Sequence, residues 1–232
     1  MIFKVFASLY PDQGLMGGIM KVTDLTHVIE SDMPVFPGTE QPIFEKANTL
    51  EKDGFRESKI TMYSHTGTHI DAPGHMLSNG RYLDNFEIEQ FIGQATILDF
   101  SNEKIELIDM DSLKPYEEKI KNVEFLIIKT GWSKYWGGEK YYKDFPSLSE
   151  ESAKWLAEYN LKGIGIDAIS IDDIKSTTFA IHKILMPKDM IIIENLANLE
   201  SISQEYFILC IMPLKNKNAD GSPVRAIAIE NI

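Results

Sequence analysis

Ser64-His65-Thr66-Gly67-Thr68-His69-Ile70-Asp71-Ala72-Pro73-Gly74-His75 gathers three of the chain's five histidines into one short stretch. A helical reading would bring His65 and His69, four residues apart, onto one face. Thr66, Gly67, Thr68 and Ile70 are poor helix formers, however, and Pro73 blocks continuation. An extended reading fits better. In a strand over Ile60–Asp71, residues His65, Gly67, His69 and Asp71 share one face, and Thr66, Thr68 and Ile70 share the other. Gly67 has no side chain and leaves room between the two imidazoles. Two imidazoles and a carboxylate on one face make a divalent-metal site. The alternative is a surface run, or core histidines satisfied by backbone hydrogen bonds.

Outward from this stretch, His182 lies in Phe179-Ala180-Ile181-His182-Lys183-Ile184-Leu185-Met186, and Glu194 closes Met190-Ile191-Ile192-Ile193-Glu194. A carboxylate ending so apolar a strand is costly to bury unless it meets a charge. A cation held by the first cluster would meet it. Otherwise Glu194 points to solvent and His182 packs in the core. His27, in Asp24-Leu25-Thr26-His27-Val28, has no companion pattern and reads as structural.

The rest of the chain alternates strand and helix signals. Lys21–Ile29, Ile97–Phe100, Phe125–Thr130, Gly163–Ile166, Met190–Glu194 and Tyr206–Met212 read as short apolar strands. Pro34, Pro37, Gly38 and Pro42 force an extended loop. Ser149 caps a helical segment with Glu150 and Glu151 in its first turn, and Trp155 and Leu156 on its apolar face. Asp111–Glu118 and Glu87–Ile92 are weaker helical segments. The expectation is an α/β domain, a mixed sheet with helices.

The chain has 232 residues, 44% of them hydrophobic and 25% charged, which suits one soluble globular domain. That domain is placed at residues 20–232, with residues 1–19 as an N-terminal extension outside the fold. No stretch approaches the roughly 18 consecutive apolar residues of a membrane span. A net charge of −12, from 35 acidic and 23 basic residues, argues against nucleic acid or an anionic membrane as partner. Cys210 is the only cysteine, so an internal disulfide is excluded. It reads as a small buried hydrophobe. A reducing compartment, the cytoplasm, follows as the expectation.

His65-Thr-Gly-Thr-His69-Ile-Asp71-Ala-Pro73-Gly-His75 matches the HxGTHxDxPxH signature, and the chain resembles the metal-dependent cyclase/hydrolase family. That family includes bacterial kynurenine formamidase and isatin hydrolase. The resemblance covers nearly all of Lys21–Ile232. Met33-Pro34-Val35-Phe36-Pro37-Gly38 looks like its substrate-loop motif, and Gly165-Ile166-Asp167-Ala168-Ile169-Ser170-Ile171-Asp172 looks like its GxDxxSxD segment. His182 and Glu194-Asn195-Leu196 match its downstream histidine and EN-L motif, and Gly221-Ser222-Pro223-Val224-Arg225-Ala226 matches its closing segment. Two positions depart: Phe36 stands where formamidases carry tryptophan, and Met76 where an aromatic is common.

The resemblance implies a swivelling β/β/α domain, a homodimer or larger homo-oligomer, and one or two divalent ions per subunit. By similarity His65, His69 and Asp71 bind the first ion, and Asp71 and Glu194 bridge to a second also held by His182. His75 is then the general acid/base. Nitrogen and oxygen ligands without thiolate suit Zn²⁺, Mn²⁺ or Fe²⁺ without choosing among them, and Zn²⁺ is taken as the first expectation with Mn²⁺ next. The implied function is hydrolysis of a small amide, with N-formylkynurenine as the first substrate to try. Its rivals are a cyclase or lyase on a small carbonyl substrate, and a catalytically silent metal-binding protein. Phe36 is the expected apolar wall for the substrate, with Trp132, Tyr135 and Trp136 as further candidates. The aromatic stretch Trp132–Tyr142 is a compositional hint of a dimer interface.

Overall fold

The computed structural model describes residues 19–102 and 105–231. Of the expected extension only Ile19 falls among them; residues 1–18 lie outside the described residues. The strands in chain order are β1 (Lys21–Asp24), β2 (Ile43–Asn48), β3 (Glu57–Thr61), β4 (His69–Asp71), β5 (Ile92–Asp99), β6 (Leu107–Ile108), β7 (Phe125–Lys129), β8 (Ser147–Leu148), β9 (Gly163–Ile166), β10 (Ile191–Glu194), β11 (Tyr206–Cys210), β12 (Gly221–Pro223) and β13 (Ile227–Glu230). The helices are α1 (Leu50–Asp53), α2 (Met110–Leu113), α3 (Glu117–Lys121), α4 (Glu150–Leu156) and α5 (Ala180–Leu185).

Among the described residues nine strands form one mixed sheet in the order β1-β13-β11-β5-β7-β9-β10-β4-β12. Its centre, β5-β7-β9-β10, is parallel, and both flanks are antiparallel. A parallel centre is covered on both faces, which explains the unbroken apolar run Phe125-Leu126-Ile127-Ile128. Leu126 and Ile128 enter a core shared with α4 and α5, while Phe125 and Ile127 enter a second core on the other face with Phe207 and Leu209. The expected mixed α/β class is the observed one.

Several boundaries differ from the sequence reading. Ile60–Asp71 is two strands, not one. β3 pairs with β2 in a separate hairpin, and the chain then turns through Tyr63–Gly67, where Thr66 Oγ1 donates to the Tyr63 carbonyl at 2.8 Å. Gly67 has φ +65°, in the left-handed region that a β-carbon disfavours. Its role is therefore the turn, and the proposed shared face of His65 and His69 does not exist. β1 stops at Asp24, whose Oδ1 accepts from the Thr26 N–H. Pro115 divides Asp111–Glu118 into α2 and α3 with a tight turn between. Glu87–Ile92 shrinks to one 3₁₀ turn, Ile88–Phe91. Ser149 does cap α4, accepting from the Ser152 N–H at 3.0 Å. Cys210 is partly exposed rather than buried, because alternate residues of β11 face outward.

Candidate metal centre and substrate cavity

The antiparallel pairing of β4 with β10 sets His69 directly opposite Glu194 and Asp71 opposite Ile192. Side chains of period two then put His69, Asp71 and Glu194 on one face of the sheet. α5 covers that face and lowers His182 onto it from a buried turn. No local cap announces α5; its first N–H groups are satisfied from a loop, where Asp172 accepts from Ile181 N at 2.9 Å and His182 N at 3.1 Å.

Each buried imidazole is oriented by the nitrogen turned away from the cluster. His69 Nδ1–H donates to the Gly67 carbonyl at 2.8 Å, and His182 Nδ1–H donates to Asp172 Oδ2 at 2.5 Å. The Nε2 lone pairs are thereby aimed inward. His69 Nε2 lies 3.2 Å from Asp71 Oδ1 and 3.6 Å from Glu194 Oε2. His182 Nε2 lies 3.4 Å from Asp71 Oδ2 and 3.5 Å from Glu194 Oε1. All four side chains are buried. Two carboxylates meeting two inward imidazole nitrogens in a buried site call for positive charge beside them, a need that a divalent ion on this donor set meets.

His65 and His75 form the outer side. His65 Nδ1 is 2.5 Å from Asp71 Oδ1, and its Nε2 is 3.2 Å from Asp220 Oδ2. A β-carbon at Gly221 would lie 2.4 Å from the His65 ring, so only glycine admits the imidazole there. His75, on the 3₁₀ turn Pro73–His75, lies 3.9 Å from the His65 ring centre, with Nδ1 3.7 Å from Asp220 Oδ2.

Burial works against charge on His65, but Asp71 and Asp220 outweigh it and lift the ring to about 9. Burial likewise opposes charge on His69 and His182. Asp71 and Glu194 raise His69, whereas Asp172, Asp71 and Glu194 hold His182 well above its usual range. Burial would raise Asp71, yet His69, His65 and His182 hold it well below the usual carboxylate range. His75 differs from the other three: its burial, with the charge of His65 and His182 beside it, outweighs Asp71 and Asp220 and lowers it.

A cavity of about 330 Å³ opens onto these groups. Its apolar side includes Phe36, Met76, Ile169 and Phe179. The Phe36 and Phe179 rings are 6.4 Å apart and inclined by 49°. Phe179 has φ +50°, a strained conformation for an aromatic residue. The remaining aromatic candidates are elsewhere. Trp136 stacks on His27 at 3.8 Å, Trp132 meets Tyr135 edge-on at 5.1 Å, and all three pack on the core. Tyr141 is fully buried, whereas the rest of Trp132–Tyr142 is partly or fully exposed. His27 is structural as expected, and burial pushes it down to about 4.

The six residues singled out in the sequence, His65, His69, Asp71, His75, His182 and Glu194, all converge, and Phe36 lines the same cavity. Asp172, Asp220 and Phe179 had no assigned role. Asp172 stood inside a recognised segment; Asp220 could have been sought just before Gly221-Ser222-Pro223.

The sequence matches the Cyclase family, described as "Putative cyclase", over residues 23–173. It is 31% identical to kynurenine formamidase from Bacillus thuringiensis subsp. konkukian (strain 97-27), over 88% of this chain and 95% of the relative. Isatin hydrolase A from Labrenzia aggregata superposes with a TM-score of 0.84 at 25% identity, covering 100% of both chains. A structure described as a potential metal-dependent hydrolase with cyclase activity superposes with a TM-score of 0.74 at 28% identity, over 92% of this chain and 100% of its own.

Proposed function

This chain belongs to the Cyclase family, and on that premise we propose that it cleaves the formamide bond of a small aryl substrate, N-formylkynurenine first. It is a metal-dependent amidohydrolase. The observation that carries the reading is the convergence of His69 Nε2 and His182 Nε2 on Asp71 and Glu194, beside His75 and an aromatic cavity.

His65, His69 and Asp71 would hold one ion, with Asp71, His182 and Glu194 arranged for a second. A divalent ion bound there supplies Lewis acidity, polarising a carbonyl oxygen and acidifying water. Phe36 and Phe179 take the flat ring of the substrate and turn its amide toward the carboxylates. The Asp220 carboxylate beside His75 Nδ1 favours the proton there, leaving Nε2 to carry the travelling one. His75 Nε2 takes a proton from the attacking water and returns it to the leaving nitrogen, so C–N cleavage yields formate and an aryl amine.

Zn²⁺ is proposed ahead of Mn²⁺, because imidazole and carboxylate ligands at this number suit it best. A homodimer or larger homo-oligomer is supported by the β2–β3 hairpin, whose paired Phe44 and Ile60 are both exposed. A cytoplasmic location is supported by the single cysteine. Among the described residues no helix is long and apolar enough to cross a membrane.

The test is formate release from N-formylkynurenine by protein loaded separately with Zn²⁺ and Mn²⁺, with chelator-treated protein as control. Metal-dependent release at a kcat/KM of about 10⁴ M⁻¹s⁻¹ or above supports the reading. No release from fully loaded protein would discard that substrate and turn the search to other amides, lactams and ring closures.

A further inference from the structure

Tyr141 does not itself line the cavity, yet a buried hydrogen-bonded path leads from it to the centre. It belongs to the 3₁₀ turn Glu139–Tyr142 and is fully buried. Its hydroxyl donates to Asn195 Oδ1 at 2.7 Å. Asn195 Nδ2 donates to the Gly67 carbonyl at 2.8 Å, the same oxygen that accepts from His69 Nδ1 at 2.8 Å. Asn195 itself follows Glu194, in a left-handed conformation with φ +58°, and its carbonyl accepts from Thr68 Oγ1 at 2.6 Å. Trp136 closes the arrangement, edge-on to Tyr141 at 5.1 Å and stacked on His27, whose N–H donates to Thr68 Oγ1 at 2.9 Å.

A carboxamide can rotate to place either its oxygen or its nitrogen toward Gly67. The Gly67 carbonyl only accepts and so takes Nδ2, which leaves Oδ1 to accept from the phenol; the two bonds together pin the carboxamide. The carbonyl so held in turn fixes the plane and tautomer of His69. We infer that Tyr141 is a positioning residue of the metal centre, acting through Asn195 and the Gly67 carbonyl on the His69 ring. The inference rests on His69 being a ligand. It predicts that a side chain from the loop after β7 tunes ion affinity without touching ion or substrate.

The experiment measures Co²⁺ and Zn²⁺ dissociation constants by chelator competition, together with the visible spectrum of the Co²⁺ protein and Tm. Partners that orient metal-binding histidines contribute roughly 10- to 100-fold in affinity. Tyr141→Phe should weaken both ions by about 10-fold and shift the Co²⁺ bands. Asn195→Gly, which keeps the left-handed backbone, should weaken them at least as much, and adding Tyr141→Phe to it should change little more, as groups on one path couple. Tyr135→Phe, whose hydroxyl meets Lys140 and not the Asn195 path, should leave affinity and spectrum unchanged. Lower Tm with unaltered ion affinity and spectrum in Tyr141→Phe would overturn the inference. His69→Ala separates the two levels: if it too leaves affinity unchanged, the ligand reading falls and takes this one with it.

Discussion

The inner and outer halves of the site are built differently. Inside, His69, Asp71, His182 and Glu194 are buried, sit on a strand pair and a helix, and have each imidazole locked by a neutral or anionic acceptor behind it. Outside, His75 and Asp220 are partly exposed, stand on turns, and meet at 3.7 Å, beyond hydrogen-bond length. The inner rings are pulled toward charge and the outer His75 away from it. A group that holds an ion gains from rigidity and nearby anions. A group that shuttles a proton needs a neutral ring near operating pH and room to turn.

Asp71→Asn leaves the inner nitrogens without their shared carboxylate; ion binding should be lost and turnover should fall by about 10³-fold or more, the upper range for one electrostatic group. Retained ion at full stoichiometry, measured by elemental analysis, would erase the distinction. His75→Ala should cost at least ~100-fold in kcat while the protein keeps its metal. Loss of metal in that variant would move His75 to the inner half.

Proton linkage gives the next effect. His65 is lifted to about 9 by Asp71 and Asp220 despite its burial, so below that pH an incoming ion must displace its proton. Apparent affinity should therefore fall as pH drops from about 9, by roughly tenfold per unit for each proton released. Chelator competition at stepped pH checks it; a flat profile contradicts it. The smallest effect belongs to Phe179→Gly. This change relieves a strained backbone, so Tm should not drop, while loss of the ring should raise KM for an aryl formamide by roughly 2- to 10-fold at nearly constant kcat. A fall in kcat with unchanged KM would place Phe179 in the chemistry instead.

Local pattern made much of this legible. Glu194 at the end of an isoleucine run could only be buried against charge, and the structure buries it opposite His69. The same pattern misled between Ile60 and Asp71, since alternation of residue types cannot reveal a turn when both flanks are extended. Gly67 was the clue: its φ +65° breaks the parity that the alternation suggests. Asp172, Asn195 and Tyr141 were illegible as orienting groups, because their partners are distant in sequence and their residue types are ordinary for loops.

The sequence by itself determined the candidate ligand types, the spacing of His69 and Asp71 on one strand, and the family to which the chain is similar. The first two follow from period-two geometry and from the chemistry of imidazole and carboxylate, which need no knowledge of the fold, and the third from the match of His65–His75 to a family signature. Only the tertiary structure decided that His65 reaches Asp71 from across a turn, that Gly221 makes space for its ring, and that α5 hangs its first N–H groups on Asp172. Each of these depends on two segments meeting in space, and burial there changes what their groups must bond to.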